Sequence, residues 1–169
     1  MTEKLCLSAL VVNRAGVLLR VAGLFARRGF NIRSLTVSET ENPELSRMTI
    51  VSEVEISSFD QVEQQLLKLE DVIKVIRLKE SSFIASELLL IKVHATNSVR
   101  PDVLDVVSSY GARIRDIGHT TITAELTGAT QLVDEFIEKM ERFGIAELSR
   151  SGSTALESGD SSINDKISK

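Results

Sequence analysis

Leu5-Cys6-Leu7-Ser8-Ala9-Leu10-Val11-Val12-Asn13-Arg14-Ala15-Gly16-Val17-Leu18 begins as a nearly continuous apolar run and breaks at four residues that suit a turn. The run, interrupted only by Ser8, is that of a central strand covered on at least one face. An amphipathic stretch continues to Arg28, so the segment reads as a strand entering a helix near Ala15, with Asn13 as candidate N-cap. The expected inner stripe is Leu18, Val21, Ala22 and Phe25, and Gly29 stands where a left-handed C-terminal cap belongs. Leu19, Gly23 and Ala26 give another face mostly small side chains, over which a second surface could approach closely.

Outward from that turn, residues 31–40 and 46–55 read as strands of a hairpin joined by the polar, Pro43-containing turn from Thr40 to Leu45. Ser58 and Gln61 fit a capping box before a helix with the stripe Val62, Leu66 and Leu69, and Val72 to Leu78 closes the unit as a strand. The order is βαββαβ. It recurs at an offset of roughly 83 residues: a strand at 87–96, a helix at 101–110 beginning with Pro101, strands at 112–118 and 120–127, a helix at 129–142 and a strand at 145–149. Val103, Val106, Val107 and Tyr110 form one expected stripe, and Val133, Phe136, Ile137 and Met140 the other. The fold class is therefore α+β: two ferredoxin-like βαββαβ domains, each an antiparallel sheet covered by two helices. The boundaries are 1–79, a linker at 80–86, a second domain at 87–150, and a tail at 151–169. That tail is rich in Ser, Gly and charge, and is expected to be mobile because it carries too little apolar surface to offset ordering.

Composition narrows the function. The 169 residues are 43% hydrophobic and 26% charged, with a net charge of −4, which disfavours a polyanionic partner such as nucleic acid. RNA-binding modules of this strand order need stacking aromatics on central strands, whereas Phe25, Phe30, Phe59, Phe83, Tyr110, Phe136 and Phe143 fall on helices, turns or element ends and read as core. A single cysteine, Cys6, inside a strand, excludes a disulfide framework within one chain and reads as a small core residue. No membrane-spanning or targeting stretch is evident, and a cytoplasmic location is expected.

Catalytic chemistry finds few convergent groups. His94 and His119 lack a neighbouring ligand motif and read as structural histidines. Asp71, Glu63, Glu70, Asp134, Glu135, Glu138 and Glu141 read mostly as solvated polar faces. No catalytic, metal or cofactor residue is expected. The turn at Asn13 to Leu18 offers something else: first-turn amides of a helix have no internal partner and sit at its positive end, where a small carboxylate can dock. An Asx-x-x-Gly turn is usually only a cap, and gains functional weight from its surroundings. The corresponding turn of the second half, Thr96-Asn97-Ser98-Val99-Arg100-Pro101, lacks the glycine and is not expected to bind the same ligand.

Asn13-Arg14-Ala15-Gly16-Val17-Leu18, then Leu24-Phe25-Ala26-Arg27-Arg28-Gly29-Phe30-Asn31-Ile32-Arg33-Ser34-Leu35-Thr36-Val37, and Leu45-Ser46-Arg47-Met48-Thr49-Ile50-Val51 together resemble the small regulatory subunit of acetolactate synthase, or acetohydroxyacid synthase. The resemblance covers residues 4–79. The overall length, the second half and the stretch Ile145 to Gly152 are similar to the longer bacterial form.

The resemblance implies an N-terminal ACT domain and a protein that is regulatory rather than catalytic. Such a subunit activates a separate thiamine-diphosphate-dependent large subunit in branched-chain amino-acid biosynthesis and confers feedback inhibition by valine. Thiamine diphosphate, magnesium and FAD would then belong to that partner, with no cofactor in this chain. The implied effector-binding residues are Asn13, Ala15, Gly16, Val17, Leu18, Asn31 and Ile32. In similar ACT homodimers the effector lies between protomers, the first turn of one facing the start of the second strand of the other. Valine's carboxylate would meet the amides from Gly16 to Leu18, its ammonium the Asn13 and Asn31 amide oxygens or nearby carbonyls, and its isopropyl group Leu18 and Ile32. Leu19 departs from the small polar residue often found three positions after the glycine, which bears on effector affinity and choice. Two alternatives stand beside this reading. One is an ACT-type sensor acting on another partner, and the other is a small ferredoxin-like hydrolase using Arg14 or Arg20 and Asn31 around an anion.

Overall fold

A computed structural model describes residues 2–79 and 82–164, which divide into two compact units. The first holds β1 (Thr2–Val12), α1 (Val17–Arg27), β2 (Asn31–Glu39), β3 (Leu45–Glu55), α2 (Phe59–Leu67) and β4 (Val72–Arg77). The second holds most of β5 (Phe83–His94), then α3 (Arg100–Ser109), β6 (Arg113–Ile117), β7 (Thr121–Gly128), α4 (Thr130–Glu141) and β8 (Ile145–Arg150). Both sheets are antiparallel, in the orders β2-β3-β1-β4 and β6-β7-β5-β8. These are two ferredoxin-like βαββαβ units, as the apolar periodicity implies.

In the first unit, the alternate residues Leu5, Leu7, Ala9 and Val11 of β1 join Met48, Ile50 and Val54 of β3 under the two helices. The helical stripe is displaced from the expected one: Val17, Val21, Leu24 and Phe25 are buried, while Leu18 is 45% exposed. The helix starts at Val17, two residues later than expected, and that start sets which side chains face the sheet. Gly29 takes φ +69° just beyond α1, as a left-handed C-terminal cap requires. The Ser58–Gln61 capping box does not form. Ile56–Ser58 make a 3₁₀ turn leading into α2, and Ser58, already helical in its backbone angles, makes no side-chain cap bond. Val62 and Leu66 are buried, and Leu69 packs against the same core.

The second core forms from Leu89, Ile91 and Val93 of β5 and Ile122, Ala124 and Leu126 of β7. Val103 and Val107 of α3, and Val133, Phe136 and Met140 of α4, cover them. Tyr110 and Phe136 meet with ring centroids 5.2 Å apart, so both serve packing. At the end of this sheet Arg150 donates to both oxygens of buried Glu87 (Nη2–Oε1 2.7 Å, Nε–Oε2 3.1 Å) and to Asp134 of α4 at 2.7 Å. These partners, Glu87 foremost, raise the Arg150 pKa above its ordinary value.

The sequence beyond Arg150 is not the unpacked tail that its composition suggests. Thr154–Glu157 form β9, which pairs with β5, and the Ser158 N–H donates to the Ser82 carbonyl at 2.9 Å. Residues 154–164 belong to the first compact unit, which also includes Phe83 and Ile84 at the start of β5. There Asn164 donates to Glu41 at 2.8 Å, and Ala155 and Ile163 are buried. On the sheet face away from α1 and α2, Cys6, Ser8, Leu10, Thr49 and Val51 are buried as well. Arg47 on that face donates from Nε to Ser8 Oγ at 2.9 Å. Burial lowers its pKa, with Glu157 and Glu41 pulling the other way. Expected residues 165–169 of the tail lie outside the described residues, as do 80 and 81 of the linker.

Candidate functional site

The turn after β1 is built differently from a capped helix start. Gly16 is the N-cap residue, at φ +88° and ψ −11°, a left-handed conformation that residues with a Cβ adopt at a cost. Among the described residues no side chain caps the helix. A Cβ at Gly16 would meet nothing within 4 Å, so backbone angle and not crowding calls for glycine. The Val17 N–H reaches the Arg14 carbonyl at 3.4 Å and the Arg20 N–H the Gly16 carbonyl at 3.0 Å. Between them, the amides of Leu18 and Leu19 have no backbone acceptor among the described residues. A helix start with unspent donors at the positive end of its dipole is an anion-accepting element.

Asn13 does not cap α1. Its Nδ2 donates to Glu39 Oε1 at 2.9 Å and to the Pro43 carbonyl at 2.8 Å, and its backbone N–H donates to the Glu44 carbonyl at 2.7 Å. The side chain therefore ties the turn to the far end of the β2–β3 hairpin, with both amide hydrogens in use and Oδ1 left as an acceptor. Gly16 could take over the cap position because its left-handed backbone reverses the chain without help from an Asx side chain.

The other anticipated residues divide by exposure. Ala15 and Gly16 are exposed, as is Asn31, whose carbonyl accepts from Ser52 Oγ at 2.6 Å. Ile32 is half-buried against the first core. Val17 is buried in that core, so of its groups only the main chain could face a ligand. Asn31 opens β2 opposite Glu53, whereas Asn13 is bonded to Glu39, which closes it. Asn31 and Glu39 are the first and last of nine strand residues, about 26 Å apart along the extended chain. Within one chain the structure does not bring Asn31 and Ile32 to the Asn13–Leu18 turn.

One residue passed over as a solvated carboxylate belongs to this turn. Asp71, in the bend before β4, is 2% exposed. Its Oδ2 accepts from Arg20 Nε at 2.6 Å and its Oδ1 pairs with Arg14 Nη2. Its carbonyl accepts the Val12 N–H at 2.8 Å. The only local signal was an acidic pair, Glu70-Asp71, at a helix end, indistinguishable from a solvated one until the fold sets Asp71 beside Arg14 and Arg20. Both arginines pair with an internal carboxylate and Asn31 lies a strand-length away, so one chain does not group the three around an anion as a hydrolase reading would need.

The sheet order makes the first unit ferredoxin-like, and its match to a family model makes it an ACT domain. Residues 7–74 match the ACT domain described as AHAS small subunit-like, and residues 86–159 match the family described as the small subunit of acetolactate synthase. The chain is 44% identical over 154 residues to a probable acetolactate synthase small subunit of Methanothermobacter thermautotrophicus, covering 90% of this chain and 92% of that one. It is 46% identical to a protein of the same description from Archaeoglobus fulgidus, covering 91% and 96%. The crystal structure of the acetolactate synthase small subunit from Thermotoga maritima superposes with a TM-score of 0.85 at 34% identity, covering 94% of this chain and 99% of that one. The chain belongs to the acetolactate synthase small-subunit family. The second matched segment continues past Arg150 to residue 159, in keeping with an ordered β9.

Proposed function

We propose that this chain is the regulatory subunit of an acetolactate synthase, which activates a catalytic large subunit and confers feedback inhibition by valine. The thiamine diphosphate, magnesium and FAD of the reaction are assigned to that large subunit. The observation that carries the effector reading is the Gly16 turn, with left-handed backbone, no side-chain cap and unspent amides at Leu18 and Leu19. Valine's carboxylate is assigned to the amides of this turn and its ammonium to Asn13 Oδ1, which is oriented as an acceptor by the two bonds from Nδ2. Leu18, half exposed, offers apolar surface to the isopropyl group. Asn31 and Ile32 would come from a second copy of the chain, since one copy holds them a strand-length from the turn. This makes the effector site a property of a homodimer.

Inhibition requires valine to bind one state of the regulatory dimer better than another, and a coupling of about 1–3 kcal/mol is ordinary for such a device. The test is reconstitution with the cognate large subunit. Activity should rise on adding this chain and fall on titrating valine, while sedimentation should show valine favouring the dimer. A strictly monomeric species that binds valine would refute the shared site, and absence of any valine response would refute the effector assignment.

A further inference from the structure

We infer that Asp71 is a positioning residue for effector recognition: clamped between Arg14 and Arg20, its carboxylate holds the Gly16 turn open and orients the two guanidiniums whose charge selects a ligand carboxylate. The inference rests on the reading of that turn as an amino-acid site. A helix start is ordinarily held by a Ser, Thr, Asp or Asn side chain that accepts from its own first-turn amides, which consumes the donors. Here no such bond is made. The turn is instead gripped from outside. Arg14 lies two residues before Gly16 and Arg20 four after it, so one buried carboxylate ties both shoulders of the turn to the bend before β4. Asp71 is fixed in its turn by the bond from the Val12 N–H to its carbonyl, at the very end of β1. Structure is thus imposed on residues 14–20 without spending the amides of Leu18 and Leu19.

Charge gives the same arrangement a second consequence. Two guanidiniums share one carboxylate, so the cluster carries a net positive charge at the positive end of the α1 dipole. Both arginine side chains are half exposed, at 56% and 50%, while Asp71 is enclosed. The side presented to solvent is cationic, and an amino-acid carboxylate meets both oriented amides and that charge. Asp71 touches no ligand in this scheme. It acts through the turn and through the arginines that it orients.

Valinamide, which lacks the carboxylate, separates this role from a merely structural one. Calorimetric titration of the full chain, with its large subunit present, gives the ratio of valine to valinamide affinity in the wild type, Asp71→Asn, Asp71→Glu and Arg20→Gln. In Asp71→Asn the preference for valine over valinamide should fall by about tenfold, a loss on the scale of one charge-assisted hydrogen bond. The preference for valine over leucine, which reads the apolar end, should stay unchanged, and Asp71→Glu should recover part of the loss. Should Asp71→Asn fail to fold, Arg20→Gln carries the test, since it removes a half-exposed partner and is expected to lower the same ratio about threefold. A wild-type or higher ratio in whichever of these variants folds would overturn the inference alone. If wild-type chain bound no valine, the effector reading itself would fall, and this inference with it.

Discussion

The two units share a fold and differ at the turn after their first strand. In the first, Gly16 reverses the chain in a left-handed conformation and leaves amides unspent. In the second, the Thr96 carbonyl accepts from both Val99 and Arg100 at 3.0 and 2.9 Å, and Pro101 enters the helix with no N–H to offer. The Arg100 guanidinium then donates to the carbonyls of Ala95, Gly118 and His119 at 2.8–3.2 Å. Among the described residues the second helix start leaves only the Asp102 amide without a backbone acceptor, whereas the first leaves those of Leu18 and Leu19 and is braced by Asp71 from outside. Ferredoxin-like topology therefore places a turn in both units, and local chemistry leaves more free amides in the first.

The charge clamps are opposites too. One buried carboxylate holds two arginines in the first unit, and one arginine holds two carboxylates in the second. If the second clamp is purely structural, Arg150→Ala should produce the largest loss of stability, about 3–5 kcal/mol, because Glu87 stays buried without its partner. Chemical denaturation would measure it, and the folded variant should keep its valine response. A changed valine response in the folded variant would break the comparison by giving the second unit a part in sensing.

The first unit also differs in being completed by chain remote in sequence. Ile163→Ala, which empties a site 2% exposed, should cost about 2–4 kcal/mol, with hydrogen exchange rising in β1 and β3 and little changed in β7. Unaltered exchange in the first sheet would mean that the C-terminal segment is dispensable there. Arg100→Ala should cost somewhat less, about 1.5–3 kcal/mol, by leaving three carbonyls without their charged donor. Loss of valine response from that folded variant would give the second turn a part in sensing.

Gly16→Asp should have the smallest effect on folding and a selective effect on function. There is open space for the side chain, and the left-handed backbone costs about 1–2 kcal/mol, less for Asp than for most residues. A carboxylate beside the unspent amides should raise the valine concentration needed for inhibition at least about tenfold, equivalent to about 1.4 kcal/mol. Inhibition assays with the large subunit would decide. An unchanged valine response would show that the receptive turn lies elsewhere.

Period and punctuation in the sequence were enough to determine the two βαββαβ units, because alternating and 3.6-residue apolar patterns are local and strong: Leu5 to Val11 and Val133 to Met140 could be read without any partner. The glycine at 16 and the lack of one in Thr96 to Pro101 were equally legible, since backbone permissiveness belongs to the residue itself. Tertiary structure alone decided the rest. Asn13 became a tether to Glu39 and Pro43 instead of a cap, Asp71 a buried clamp instead of a solvated acid, and residues 154–164 part of a folded unit instead of a tail. In each case the deciding partner lies far along the chain, 26 residues for Asn13 and Glu39 and 123 for Glu41 and Asn164. The worth of a polar or sparsely apolar residue depends on what the fold sets against it, which no local pattern encodes.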